Sequence, residues 1–366
     1  MLYDSGCVIL VVDDTEANID ILVEALGDTY EVRVALDGPA ALESVSGDKP
    51  DLILLDVMMP GMDGYEVCRQ LKSSQDTRDI PVIFLTAMNE KKNEAKGLAL
   101  GAVDYVGKPF SPELLKSRVN NQLELKKHRD HLEDLVAERT RELEKTQSVT
   151  ICSLATLAET RDPETGGHIL RTQRYARELA KQLQQIPAYS EQLDDETINI
   201  LYASAPLHDI GKVGVRDDIL LKAAALTDNE FEEMKKHTLL GRDALRSAVD
   251  QLGDNSFMRH ALDIIYAHHE KWDGTGYPEG LSGEQIPVLG RIMAIADVYD
   301  ALVSRRSYKP PFSHRAAVGI IADGKGTHFD PQMVDAFFTV ASSFKDIAEE
   351  YADSEEERDI LLSEDL

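Results

Sequence analysis

The sequence predicts an α/β domain, built on a five-stranded parallel doubly wound sheet, followed by an all-α domain, the two joined by a long helix. Three observations carry this reading. Five short apolar runs alternate with helical patterns as far as Phe110. A charged stretch without Gly follows from Ser111. From Val149 to about Ala348 the periodicity is helical throughout, without hairpin signals.

In chain order, "CVILVV", "YEVRVAL", "PDLILLDV", "IPVIFLTA" and "VDYVGKPF" read as strands. Between them, Asn18–Leu26, Gly38–Val45, Met62–Leu71 and Glu90–Leu100 read as helices. Residues 111–148 then form a linker helix. Leu125, Leu132, Val136 and Leu143 recur along it at spacings of seven, four and seven, which fits a short coiled coil and a homodimer. Further helices are expected at Val149–Arg161, His168–Gln185, Glu196–His208, Asp228–His237, Asp243–Leu252, Phe257–His269, Gly290–Ser304, Ser313–Gly324 and Pro331–Ser343. The expected domains are 1–124, the overlapping linker 111–148, 149–345, and an acidic tail at 346–366. Nine Asp or Glu against one Arg from Glu349 onward predict a frayed helix or disorder there.

The formal net charge of the 366 residues is −27. It argues against nucleic acid and anionic membrane surfaces as partners, yet leaves room for a small anionic substrate in a locally positive cleft. No basic recognition helix appears, which excludes a transcription factor. No apolar run is long enough to span a membrane, and the acidic N-terminus does not read as a secretory signal. Cys7, Cys68 and Cys152 form no paired framework, as expected in a reducing cytoplasm.

Asp13 and Asp14 directly follow one apolar run, Asp56 another, and Thr86 and Lys108 end two more. In a parallel sheet these are carboxyl ends of strands on one edge. Three clustered carboxylates call for a hard cation such as Mg²⁺, and a Lys with a hydroxyl beside them suits a phosphoryl group. With "DVMMPGMDGYE" and "GKPF", this set resembles the receiver domain of two-component response regulators. The resemblance implies that Asp56 accepts a phosphoryl group from a histidine kinase. It also implies that Asp13 and Asp14 hold Mg²⁺ with Asp56, and that Thr86, Lys108 and the aromatic Tyr105 respond to phosphorylation. Lys108-Pro109 is a candidate cis bond.

The second half carries His168, His208-Asp209, His237, His268-His269 and Asp297, mostly at helix ends among apolar residues. A carboxylate inside the apolar "IMAIADVYDAL" is costly unless paired or metal-bound. Imidazoles and carboxylates converging from separate helices suit a transition-metal centre. Adjacent pairs point in different directions, so each can serve two positions, with Asp209 bridging two ions.

"HDIGK", "HHEKWDGTGYP" and "ADVYDAL" resemble the HD-GYP group of HD phosphohydrolases across residues 149–345. The resemblance implies a metal-dependent phosphodiesterase that hydrolyses cyclic di-GMP to pGpG, with GMP as a further candidate product. The implied ligands are His168, His208, Asp209, His237, His268, His269 and Asp297, with Fe or Mn as the leading metals. Lys212, Arg306 and Lys309 match positions that contact substrate phosphates, and Lys212 stays on the side of His208 if the helix continues. Tyr277 is placed to order its loop or stack on guanine. Glu164, in "DPETGGH", is expected to join His168 on a third ion. Ala223, Ala224 and Ala225 replace the Pro-Gly turn common in the family and favour helix. Two other readings remain: a hydrolase of another cyclic dinucleotide such as cyclic GMP-AMP, and a signalling adaptor whose metals are structural.

Overall fold

The computed structural model describes residues 6–87, 97–161, 167–252, 256–305 and 310–363. They form two compact units, Met1–Arg141 and Glu142–Leu366, each treated separately below.

In the first unit, strands β1 (Val8–Val12), β2 (Glu31–Ala35), β3 (Leu52–Asp56), β4 (Val82–Ala87) and β5 (Asp104–Lys108) form one parallel sheet. Its order is β2-β1-β3-β4-β5. Helices α1 (Glu16–Leu26), α2 (Gly38–Gly47) and α3 (Gly64–Ser73) connect the strands. Most of the helix expected at Glu90–Leu100 lies outside the described residues. The strands read as unbroken apolar runs because both faces are covered. Leu10, Val12, Ile53, Leu55, Val82 and Phe84 pack with Ala41, Val45, Val67 and Leu71. The alternate residues Ile9, Val11, Leu52, Leu54, Ile83 and Leu85 pack with Leu22, Leu26, Leu115, Val119 and Leu123.

Helix α4 (Pro112–Glu159) is continuous and joins the two units. The expected break near Val149 is absent, since neither Gly nor Pro occurs between Glu113 and Glu159 to end the helix.

The second unit continues with α5 (Gly167–Gln184), α6 (Asp195–Ser204), α7 (Asp217–Leu220), α8 (Asp228–Lys235), α9 (His237–Leu252) and α10 (Ser256–Ala267). Then follow α11 (Val288–Val303), α12 (His314–Asp323), α13 (Pro331–Glu350) and α14 (Glu355–Leu362). Tyr175 and Leu179 from α5, Ile292 and Tyr299 from α11, and Phe337 and Phe344 from α13 centre its core. The Tyr175 ring stacks on Phe344 at 4.6 Å.

Three expectations change here. Helix α6 stops at Ser204, and Ala205–Leu207 tightens into a 3₁₀ turn. Pro206 has no N–H to continue the helix. The Ala223–Ala225 run forms a bend, and helix begins only at Asp228, where Thr227 and Glu230 make a reciprocal cap. The acidic tail forms helix over Glu355–Leu362 and packs on the domain: Ala348 and Leu361 join the core and Glu357 is buried. Its carboxylates have specific partners, which a charge count cannot reveal.

Burial, and then the charge of Lys271, pushes the His328 imidazole down from 6.5 to about 4. The unfolded chain therefore takes up a proton that the native fold refuses. Stability is expected to be full above pH 6.5 and to decline as pH falls toward about 4. In His328→Asn the thermal midpoint should fall less across that window than in wild type. Parallel curves for the two proteins would disprove the assignment.

Candidate metal centre

Four histidines reach one place from four elements. His168 lies in the first turn of α5, His208 follows the turn that Pro206 imposes, His237 opens α9, and His268 follows α10. Each uses Nδ1 outward. His208 Nδ1 meets the Ala205 carbonyl at 2.9 Å, His237 Nδ1 the Met234 carbonyl at 2.9 Å, and His268 Nδ1 the Ile264 carbonyl at 3.0 Å. His168 Nδ1 meets Asp300 Oδ2 at 2.8 Å. Carbonyls and carboxylates only accept, so Nδ1 carries the proton and Nε2 presents a lone pair inward.

Those lone pairs crowd one another. His168 Nε2 and His208 Nε2 are 3.3 Å apart, and His237 Nε2 and His268 Nε2 are 3.5 Å apart. Asp209 stands between the pairs. Its Oδ1 is 3.2 Å from His237 Nε2 and 3.6 Å from His268 Nε2. Its Oδ2 is 3.4 Å from His208 Nε2 and 2.8 Å from Lys212 Nζ. Oδ1 is buried without a hydrogen-bond donor. Asp297 Oδ1 lies 3.8 Å from Nε2 of both His168 and His208. Acceptors facing acceptors in a dry site repel unless a cation lies among them. Burial holds His268 and His269 below their ordinary pKa, so both stay neutral. Against the cost of burial, the Lys212 charge and His208 hold Asp209 well below the usual carboxylate range. Burial pushes His208 down, but the Asp209 charge outweighs it and holds this imidazole above its ordinary value. Imidazole nitrogens around an ionised carboxylate fit divalent transition metals, which take the place of that proton.

Two ligand groups share Asp209: Asp209, His237, His268 and His269, and His168, His208 and Asp209. His268 and His269 therefore do not divide between two positions, as their adjacency suggested. Both fall in the first group, with ring centroids 4.0 Å apart. Lys212 lies in a second 3₁₀ turn, Ile210–Gly214, rather than on a continued helix. Tyr277 stacks on His269 at 4.7 Å, and its N–H donates to the His269 carbonyl at 3.2 Å. The contact is the loop-ordering one of the two roles expected for Tyr277. Glu164, Arg306 and Lys309 lie outside the described residues.

Sequence reasoning missed the support. Asp300 is buried and accepts from both His168 and Arg171. Glu270, also buried, accepts from the N–H groups of Glu279 and Leu281 at 2.8 and 3.0 Å and so holds the loop bearing Tyr277. The available signals were Asp300, one turn after Asp297 inside an apolar helix, and Glu270, next to His269 in "HHEKW".

Gly211 fixes the approach of the two ligand groups. A Cβ there would fall 1.9 Å from the His237 carbonyl oxygen and 2.5 Å from the Gly241 nitrogen. Gly211→Ala is expected to cost about 3 kcal/mol, the upper end for overpacking. A denaturant midpoint unchanged from wild type would contradict this.

In the first unit Lys108 Nζ bridges Asp13 at 2.7 Å and Asp56 at 2.8 Å. Asp13, Asp14 and Asp56 form a third possible cation group. Thr86 and Tyr105 lie on β4 and β5, with the Arg118 guanidinium 5.7 Å from the Tyr105 ring centroid. The Lys108-Pro109 and Tyr277-Pro278 bonds are cis.

Known families divide the chain in the same order. A response regulator receiver domain matches residues 9–120, and an HD domain matches residues 130–333. A probable cyclic di-GMP phosphodiesterase of Vibrio cholerae is 48% identical over 96% of this chain and 81% of its own. The chain belongs to the HD-domain response regulators. Another relative of this HD-domain response regulator, a cyclic di-GMP phosphodiesterase of Vibrio cholerae, is 54% identical over 58% of this chain and 43% of its own. The cyclic di-GMP phosphodiesterase response regulator RpfG of Xanthomonas campestris is 33% identical over 95% of this chain and 92% of its own. No helix among the described residues is long and apolar enough to cross a membrane.

Proposed function

We propose that this HD-domain response regulator is a metal-dependent phosphodiesterase that hydrolyses cyclic di-GMP to pGpG, under control of phosphorylation at Asp56. One observation carries the reading. Asp209 presents one oxygen to each of two groups of inward-facing imidazoles, at 3.2 Å from His237 and 3.4 Å from His208. Such a pair of metals lowers the pKa of water toward 7 and so supplies a nucleophile at neutral pH.

The ligand set is His168, His208, Asp209, His237, His268, His269 and Asp297, with Glu164 beside a third ion and Fe or Mn as the metals. Lys212 holds its charge beside Asp209 and offers it to a phosphate oxygen as negative charge builds in the transition state. Arg306 and Lys309 take the other phosphate. Tyr277 orders the His269 loop through stacking. Mg²⁺ belongs with Asp13, Asp14 and Asp56, and a cytoplasmic histidine kinase supplies the phosphoryl group. The receiver domain is 1–124 and the linker 111–148; the catalytic domain begins at 149 and, with Ala348 and Leu361 in its core, runs past the expected limit at 345.

Homodimerisation runs through α4, where Leu125, Leu132, Val136 and Leu143 are 58–68% exposed in the single chain.

The test is turnover by anaerobically purified, metal-analysed protein on a panel of cyclic dinucleotides. The expected result is pGpG from cyclic di-GMP at a higher kcat/KM than hydrolysis of cyclic GMP-AMP. A full metal complement with no hydrolysis of any member would refute the enzyme and leave an adaptor.

A further inference from the structure

The C-terminal segment reaches the support of the metal centre. Arg171, fully buried on α5, joins the two. Its Nε donates to Asp300 Oδ1 at 2.7 Å and one terminal nitrogen to Asp300 Oδ2 at 3.0 Å. The other terminal nitrogen donates to the Tyr351 carbonyl at 2.8 Å and to Asp353 Oδ2 at 2.9 Å. Asp300 Oδ2 in turn accepts from His168 Nδ1 at 2.8 Å. The line from tail to ligand is Asp353, Arg171, Asp300, His168, and three of its four members are almost wholly buried.

Two further observations bear on the same line. Gly167 precedes His168, and a Cβ there would lie 2.4 Å from the Arg171 guanidinium, 3.0 Å from the Tyr351 carbonyl oxygen and 3.1 Å from Asp353 Oδ1. The glycine before the ligand thus makes room for the tail and its arginine. Glu357, 5% exposed, accepts from the Asp353 N–H at 3.0 Å and from the Arg305 N–H at 2.7 Å. It ties the segment to the end of α11, the helix that carries Asp297 and Asp300. Ser304 at that helix end also receives Arg171 at 2.8 Å.

We infer that residues 351–357 are a positioning element of the metal centre: Asp353 and the Tyr351 carbonyl fix Arg171, which fixes Asp300 and so the ring of His168. This rests on His168 being a metal ligand. The physical reason is the geometry of the fork. A guanidinium gripped on one side only can rotate, whereas one gripped on both sides holds its carboxylate in plane. The carboxylate then fixes both tautomer and orientation of the imidazole, and such outer partners are typically worth about 10–100-fold in metal affinity.

The test is equilibrium dialysis of the full chain against Mn²⁺, with thermal melts of the metal-free protein alongside. Asp353→Ala and the isosteric Asp353→Asn are compared with Glu356→Gln, an exposed tail acid paired with the Arg305 side chain. Both Asp353 variants are expected to weaken the Mn²⁺ binding step that His168 serves about tenfold, leave the remaining steps unchanged, and keep a metal-free melt close to that of Glu356→Gln. Arg171→Lys, which loses the fork, is expected to weaken the same step at least as much. Unchanged binding in both Asp353 variants would overturn the inference. So would parallel weakening of every step with a lowered metal-free melt, which is the signature of general loosening. No substrate enters the experiment, so its outcome is separate from that of the cyclic di-GMP assay.

Discussion

Asp209→Ala is expected to remove hydrolysis and metal-dependent stability together. In the native chain the carboxylate oxygens lie 3.2 Å from His237 Nε2 and 3.4 Å from His208 Nε2, so one residue serves both ligand groups. Without it, two cations would face each other across neutral imidazoles with no anion between them. Losing even an outer partner of a metal ligand costs about 10–100-fold, so losing the shared ligand should cost more than 100-fold in turnover. Wild type at a metal concentration 100 times its Kd should gain about 2.7 kcal/mol of stability from binding. The variant should lose most of that gain. Asp209→Asn keeps the volume and removes the charge, which separates ligation from packing. Turnover within tenfold of wild type in both variants would refute the shared role.

The same residues show what the sequence could reveal. Asp209, His208, His268 and His269 are adjacent in short motifs, so their chemistry was visible before any fold. The sheet was equally legible, because strands buried on both faces leave unbroken apolar runs such as "LILL". Long-range partnerships left no such mark. Arg171 and Asp353 are 182 residues apart, and His168 and Asp300 are 132 apart. Arg171, Asp300 and Asp353 each read alone as an ordinary charge. The tail was misread for this reason: nine acids look like a solvated segment until Arg171 and the Arg305 N–H are found beneath two of them. The division of His268 and His269 failed differently. Adjacent side chains after a helix end need not diverge, and here the two rings lie 4.0 Å apart on one ligand group.

Asp56→Asn is expected to abolish phosphoryl uptake in the first unit. Asp56 closes β3 and is 4% exposed, with Lys108 Nζ 2.8 Å away and Asp13 sharing the same lysine. Burial pushes its carboxyl above the ordinary value, against the opposing pull of Lys108. Lys108 stands ready beside it to stabilise the negative charge of an incoming phosphoryl group. Incubated with Mg²⁺ and a small acyl phosphate, wild type should gain one phosphoryl group by intact mass, and the variant none. A thermal melt of the variant separates that loss from unfolding. A carboxyl whose native pKa is raised makes the fold less stable as pH rises and the group ionises, so the neutral amide should melt no lower than wild type at neutral pH. The variant should also retain basal cyclic di-GMP turnover that no longer responds to the phosphodonor. Equal phosphoryl uptake by both proteins would move the acceptor away from Asp56. A response of turnover that survives the substitution would separate the receiver's chemistry from control of the second unit.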